Sequence, residues 1–182
     1  GSSTSWEGSS QVYFMKIDSA GTRQWTKHYG GPESDGASRV LFNGDLGLYA
    51  IGYTNSIGSG DYNGLVVKTD ENGNEEWQKG FGEPTAWEFL NDAVFGHDSS
   101  IIIVGNSQSM IDGDQDVYML RIDSDGDTLW TKKISNQGLD YATSVVGVQD
   151  SLFIVSGAFY CEDSLSQKGF VMKINEEGEV LW

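Results

Sequence analysis

The sequence predicts an all-β fold assembled from tandem units, and three observations carry that expectation. Trp25, Trp77, Trp130 and Trp182 fall 52, 53 and 52 residues apart, and each closes the same phrase of apolar run, basic residue, acidic turn, glycine and tryptophan. Glycine is abundant at 24 residues and proline scarce at two, which suits many tight turns at positive φ rather than an extended linker. Short runs rich in β-branched and aromatic residues recur between clusters of Gly, Asn, Asp and Ser, the pattern of strands joined by turns. Self-similarity on this scale sets the architecture before any local motif is read.

In the first unit the strands are expected at Tyr13 to Asp18, Arg23 to Tyr29, Ala37 to Phe42 and Leu48 to Thr54. The second offers Leu65 to Asp70, Glu75 to Phe81, Asn91 to Phe95 and Ile101 to Ser107. The third offers Val117 to Asp123, Thr128 to Ile134, Ala142 to Val148 and Leu152 to Ala158, and a fourth starts at Phe170 and contributes two strands. Each unit reads as a four-stranded antiparallel meander. Four short strands at a period near fifty, with a repeated glycine and aromatic signature, predict a β-propeller. About 3.5 blades are present in one domain, residues 1–182, with repeats at 12–56, 64–107 and 117–158 and a half repeat at 169–182.

Two features of the phrase have a physical reading. The turns Asp18 to Gly21, Asp70 to Gly73, Asp123 to Gly126 and Asn175 to Gly178 place an Asx residue first and glycine fourth, the chemistry of a type I turn leading into a glycine bulge. Lys16, Lys68, Arg121 and Lys173 interrupt apolar runs at equivalent places. A buried stem with a snorkelling charge accounts for them, and symmetry suggests an ion pair or a cation resting on the repeat tryptophan.

The first unit carries Lys16-Ile17-Asp18, Gly21, Trp25, the segment Gly30 to Asp35 with glycine at 30 and 31, and Gly52-Tyr53-Thr54-Asn55-Ser56. This resembles the bacterial seven-bladed β-propeller repeat, a family of secreted and surface proteins of many unrelated roles. The second unit departs at Gly82-Glu83-Pro84-Thr85, and the third has Ser135 to Gly138 followed by Asp140. The resemblance implies the fold and a secreted or cell-surface bacterial setting, and constrains function little. A weaker likeness is to the tryptophan-docking repeat of quinoprotein dehydrogenases, whose repeats are shorter, so their cofactor does not carry over.

Eleven basic against 27 acidic side chains leave a formal charge of -16, which repels phosphate backbones and anionic lipid surfaces and so argues against nucleic acid as a partner. No run of about 18 apolar residues is present, so membrane insertion by a helix is not expected, and the chain reads as a processed or excised segment. Cys161 is the single cysteine, which rules out an intrachain disulfide.

Candidate chemistry is sparse. Asp112, Asp114 and Asp116, and Asp123, Asp125 and Asp127, place acids at alternate positions as oxygen-ligand calcium loops do, although hairpin turns select the same residues. Calcium is the one cofactor these loops would take; none other is indicated. His28 and His97 have no partner at zinc-ligand spacing and read as surface residues. No catalytic residue is nominated, because no Gly-x-Ser-x-Gly elbow or activated thiol stands out. Trp6, Tyr62, Trp87 and Tyr160 break the repeat pattern and are the candidate ligand contacts.

The sequence therefore points to a non-catalytic binding or scaffolding propeller segment whose partner is a protein or glycan. The alternative is a carbohydrate-binding or glycoside-cleaving propeller with its site on one face of the ring. Three and a half blades do not close a ring. The expected complement is either the remaining blades of a longer chain or a second copy, since two sets of 14 strands would make seven blades of four.

Overall fold

The structure is a computed structural model that describes residues 2–4, 9–42, 47–136, 138–149, 151–161 and 165–182, the first three as backbone only. Its strands are β1 (Ser2–Thr4), β2 (Ser10–Ile17), β3 (Arg23–Tyr29), β4 (Asp35–Phe42), β5 (Leu48–Thr54), β6 (Asn63–Thr69) and β7 (Glu75–Phe81). They continue as β8 (Ala86–Phe95), β9 (Ile101–Ser109), β10 (Gln115–Ile122), β11 (Thr128–Ile134), β12 (Tyr141–Val148), β13 (Leu152–Cys161) and β14 (Ser166–Asn175). The all-β expectation holds. β8 starts five residues before the expected Asn91, because Ala86 to Leu90 pair with Ser109 to Gly105 across the ladder. β1 has no counterpart among the expected strands.

Four antiparallel sheets follow in chain order: β1-β2-β3, β4-β5-β6-β7, β8-β9-β10-β11 and β12-β13-β14. Within each, neighbours in space are neighbours in sequence. The expected grouping of strands is corrected here. β3 does not pair with β4; the chain crosses to a new sheet after each repeat tryptophan strand, so the sheets are offset by two strands from the repeats read in sequence. The chain thus contributes to four sheets rather than three and a half, the first and last of them three-stranded.

The offset has a local cause. Asp35, Glu88 and Asp140 are fully buried near the starts of β4, β8 and β12, and each closes the loop that precedes it. Asp35 Oδ2 accepts the Gly31 N–H at 2.8 Å and the Ser56 hydroxyl at 3.0 Å, and its Oδ1 accepts the Thr54 hydroxyl. Glu88 accepts the Ser107 hydroxyl at 2.8 Å and the Glu83 N–H at 3.3 Å. Asp140 accepts N–H groups of Asn136 at 2.9 Å and Tyr160 at 2.6 Å. Donors from the loop and from the second strand of the same sheet thus meet a desolvated carboxylate, which is stable only when so satisfied.

β4, β8 and β12 each carry a bulge, after Ala37, Leu90 and Ala142. Opposite them Gly52, Gly105 and Gly157 approach so closely that an added Cβ would lie 2.0 Å from the carbonyl oxygen of Gly36, Phe89 and Tyr141. The bulges bring Arg39, Asp92 and Ser144 of three successive sheets into a row. Arg39 Nε lies 3.1 Å from Asp92 Oδ1, and Asp92 Oδ2 accepts the Ser144 hydroxyl at 2.7 Å and the Val145 N–H at 3.0 Å.

Apolar faces of consecutive sheets close on one another. Val12, Phe14 and Tyr29 pack with Ala50, Leu65 and Val67; Tyr49, Ile51 and Val66 pack with Leu90, Leu120 and Ile122; Ile102, Val104 and Met119 pack with Val145, Phe153 and Met172. One contact recurs at all three junctions. The rings of Trp25, Trp77 and Trp130 lie on the turn glycines Gly73, Gly126 and Gly178 of the following sheet, where a Cβ would fall 2.8, 2.9 and 2.7 Å from ring carbons. Those glycines also sit at φ 73°, 78° and 69°, so the same residue makes the left-handed turn and clears the floor for the indole.

The strand cation reaches the same turn. Lys16 Nζ, Lys68 Nζ and Arg121 Nη1 lie 3.5, 3.3 and 2.8 Å from the carbonyl oxygens of Glu71, Ser124 and Glu176. The expectation of a cation over the repeat tryptophan is met by other residues: Lys79 over Trp77 and Lys132 over Trp130, each 5.7 Å from the ring. The turns themselves form as expected, with Asp18, Asp70 and Asp123 Oδ1 each accepting two backbone N–H groups of the turn.

Gly126→Ala is expected to lose the cost of a left-handed alanine, about 1–2 kcal/mol, together with the cost of displacing Trp77. At Gly21, with φ 80° and nothing within 4 Å of an added Cβ, the alanine variant should lose only the first part. Urea unfolding of both variants measures the difference, and equal losses would contradict the docking role.

Candidate functional site

Among the four aromatics singled out in the sequence, the structure brings Tyr62 and Trp87 together. Tyr62 lies in the β5–β6 connection of the second sheet and Trp87 near the start of β8 in the third. The Glu88 N–H donates to the Tyr62 carbonyl at 3.1 Å, which ties the two segments side by side. Their rings meet edge to face with centroids 6.0 Å apart. Tyr53 and Phe89 complete the cluster: Tyr62 stacks on Phe89 at 5.5 Å, and Tyr53 lies 6.0 Å from Tyr62 and 5.6 Å from Phe89. All four rings are half-buried. Separations of this kind contribute about 0.5–1.5 kcal/mol per pair beyond area burial, so the group is a rigid aromatic patch at the junction of two sheets.

Tyr160 stands at a different junction. Its ring covers Gly138, where a Cβ would lie 2.6 Å from Tyr160 Cδ1, and its N–H serves Asp140. Trp6 lies outside the described residues.

The acids proposed for calcium have identifiable structural work. Asp123 Oδ1 caps its own turn, while Asp127 Oδ1 and the Asp125 carbonyl both lie 2.8 Å from Lys79 Nζ across the junction. Asp112 Oδ1 accepts the Asp114 N–H at 3.3 Å, and Asp114 Oδ1 accepts the Gly138 N–H at 2.7 Å. The Ser109 hydroxyl and that Asp114 N–H hold the Asp112 carboxyl below its ordinary range. Asp116 Oδ1 is buried without a donor among the described residues. No group of three His, Cys, Asp or Glu side chains converges as a metal cage among the described residues. His28 and His97 are exposed, as expected.

Beside the patch, Glu83 forms an ion pair with Lys133 at 3.0 Å. A cleft of about 230 Å³ lies between the two sheets here, lined by Phe81, Glu83, Tyr118, Thr128 and Thr131 among others. Burial, then the nearby Glu88 and Glu83 charges, raise the Tyr118 hydroxyl well above its usual range, so it is a neutral donor in the cleft. Burial likewise raises the Glu88 carboxyl, opposed by the Ser107 hydroxyl and the Glu83 N–H.

Two sets of residues escaped the sequence reading. Glu88 occupies the position of Asp35 and Asp140, 53 residues after the first and 52 before the second; the change from Asp to Glu hid it, and the spacing alone would have found it. Arg39, Asp92 and Ser144 share the same spacing but no residue type.

No protein-family profile and no curated protein sequence matches the chain.

A carboxyl whose folded pKa is raised adds stability below its unfolded pKa and loses it as pH rises through the folded value. Glu88→Gln, which keeps an acceptor for Ser107, should therefore unfold at a higher urea midpoint than the unsubstituted chain at pH 7 and show little difference at pH 4. A larger gap at pH 4 than at pH 7 would contradict the assignment.

Proposed function

We propose that the four sheets are consecutive blades of a β-propeller of the bacterial repeat type, acting as a non-catalytic binding or scaffolding module outside the cell or at its surface. Support for the propeller comes from the junctions. All four sheets are related by one contact at their three junctions, tryptophan on glycine, and three of them by a row of bulged first strands, the arrangement expected of blades around an axis. The partner is a protein or a glycan rather than nucleic acid, given the charge of -16.

The observation that carries the binding role is the patch of Tyr53, Tyr62, Trp87 and Phe89. Tyr62 and Trp87 are not demanded by the repeat, yet two separate sheets deliver them to one place. A second reading, carbohydrate recognition, is favoured by the indole itself, since a half-buried tryptophan beside a tyrosine suits stacking on a sugar ring. Glu88, next to Trp87, is fully buried, and the reading is put forward as recognition of a sugar by the aromatic rings.

Titration of the chain's tryptophan fluorescence with a panel of oligosaccharides, alongside capture of protein partners on immobilised chain, tests both. Trp87→Ala and Tyr62→Ala are each expected to weaken the ligand found at least tenfold, the usual cost of losing an aromatic anchor. Retained affinity in both variants, with far-ultraviolet circular dichroism unchanged, would remove the patch from the account.

A further inference from the structure

The connections at one end of the sheets are bonded to one another. Besides the Glu88 bond to Tyr62, the Met110 N–H donates to the Thr85 carbonyl at 2.9 Å and the Gln115 N–H to the Gly138 carbonyl at 3.0 Å. Asp114 Oδ1 accepts the Gly138 N–H at 2.7 Å, and Gln167 Nε2 donates to the Leu139 carbonyl at 2.9 Å. The β5–β6, β7–β8, β9–β10 and β11–β12 connections are thereby fixed side by side. The β9–β10 hairpin is also held from within, by the Ser109 N–H on the Asp114 carbonyl at 2.8 Å and the Gly113 N–H on the Ser109 carbonyl at 3.0 Å.

This fixed end presents apolar side chains to solvent. Met110, Ile111 and Leu139 are 48%, 83% and 49% exposed, and Tyr62, Trp87 and Tyr160 are half-buried along the same line of connections. The hairpin that carries Met110 and Ile111 belongs to the third sheet, which has a neighbour on either side, so an open packing face does not account for their exposure. Apolar side chains held out on constrained loops suit docking, because little ordering entropy is left to lose. Charge then selects the partner. Glu33, Asp61, Glu83 and Asp112, one from each of four successive connections, are exposed. Lys133 is already paired with Glu83, which leaves Lys168, near the start of β14, as the other base at this end among the described residues.

We infer that this end docks a protein segment whose aliphatic or aromatic side chains are flanked by lysine or arginine. The apolar side chains seat on Met110, Ile111 and Trp87, and the flanking cations face Asp61 and Asp112. A second copy of the chain, with its formal charge of -16, is repelled from such a surface. A glycan is the poorer fit here, because Met110, Ile111 and Leu139 have no side-chain group that hydrogen-bonds a sugar hydroxyl. The inference rests on the reading of Tyr62 and Trp87 as a binding surface; it extends that surface to the β9–β10 hairpin and names the class of partner.

Selection of displayed random peptides on the immobilised full chain, followed by affinity measurements on the synthesised winners, tests this. The enriched peptides should pair apolar residues with Lys or Arg and weaken as salt rises from about 0.05 to about 0.5 M. Met110→Ser with Ile111→Ser, both at exposed positions, should weaken them at least tenfold, and Asp61→Asn with Asp112→Asn should flatten the salt dependence. Glu71→Gln with Glu177→Gln, in turns at the opposite end, should change neither, which separates docking from general attraction to an acidic chain. No enrichment, enriched peptides without basic residues, or full affinity in the Met110 and Ile111 variant would each overturn the inference. Peptides weakened by Trp87→Ala but not by that variant, or oligosaccharide binding alone, would overturn it while leaving the aromatic patch in place. Peptides weakened by that variant but not by Trp87→Ala would remove the patch instead.

Discussion

The indole rings of Trp25, Trp77 and Trp130 each lie against a turn glycine of the next sheet, and most other regularities of the chain are arranged to keep that contact. The glycine must be glycine twice over. Its φ, between 69° and 78° at the three junctions, is costly for any residue with a Cβ, and the ring occupies the space a Cβ would fill. The Asx side chain three places earlier ties the turn, Asp70 and Asp123 by two backbone N–H bonds each and Asn175 by one from Glu179. The strand cation then binds the carbonyl at the second position of the same turn. At the last of the three junctions, Trp130 Nε1 donates to that carbonyl as well, at 2.9 Å from the Glu176 oxygen.

Because the rings of Trp25, Trp77 and Trp130 reach forward by one sheet, a sheet in this protein is stabilised by its neighbour as well as by its own strands. Repeat architectures behave this way generally, with stability divided between the unit and the interface. The buried carboxylates do the complementary task. Asp35, Glu88 and Asp140 hold the crossing loops in place, and their cost of burial is offset by hydroxyl and N–H donors from the same sheet. The Glu88 N–H bond to the Tyr62 carbonyl then sets Tyr62 and Trp87 side by side. The aromatic patch is therefore a by-product of the junction geometry that two non-repeating side chains turn into a surface of its own.

Much of this was legible in the chain. The tryptophan period and the Asx-to-glycine turns predict strands, hairpins and bulges, and most formed near the expected places; the exceptions are β1, the early start of β8 and the second strand expected in the fourth unit, where only an Ile174–Val180 bridge forms. The grouping of strands was not legible. Gly30 to Ser34, which crosses between sheets, and the cluster after Phe42, which joins strands of one sheet, are both short polar segments with glycine. Only the buried Asp35 distinguishes them, and burial is a tertiary fact. The proximity of Tyr62 and Trp87 was out of reach for the same reason: each was visible as an exception to the repeat, but their meeting depends on a backbone bond between sheets. At Asp125 and Asp127 the sequence did not disclose that a lysine 46 and 48 residues away reaches the Asp125 carbonyl and the Asp127 carboxylate.

A double-mutant cycle between Trp77 and Gly126 tests the docking contact most directly. The cycle compares the unfolding free energy lost on Gly126→Ala in the unsubstituted chain with that lost in a Trp77→Ala background. If the indole rests on the glycine, the alanine methyl has nothing to displace once the ring is gone. The two losses should then differ by at least about 1 kcal/mol, in the range of contacting pairs. Additivity within about 0.5 kcal/mol, the behaviour of residues that do not touch, would contradict the contact on which the rest of the fold depends.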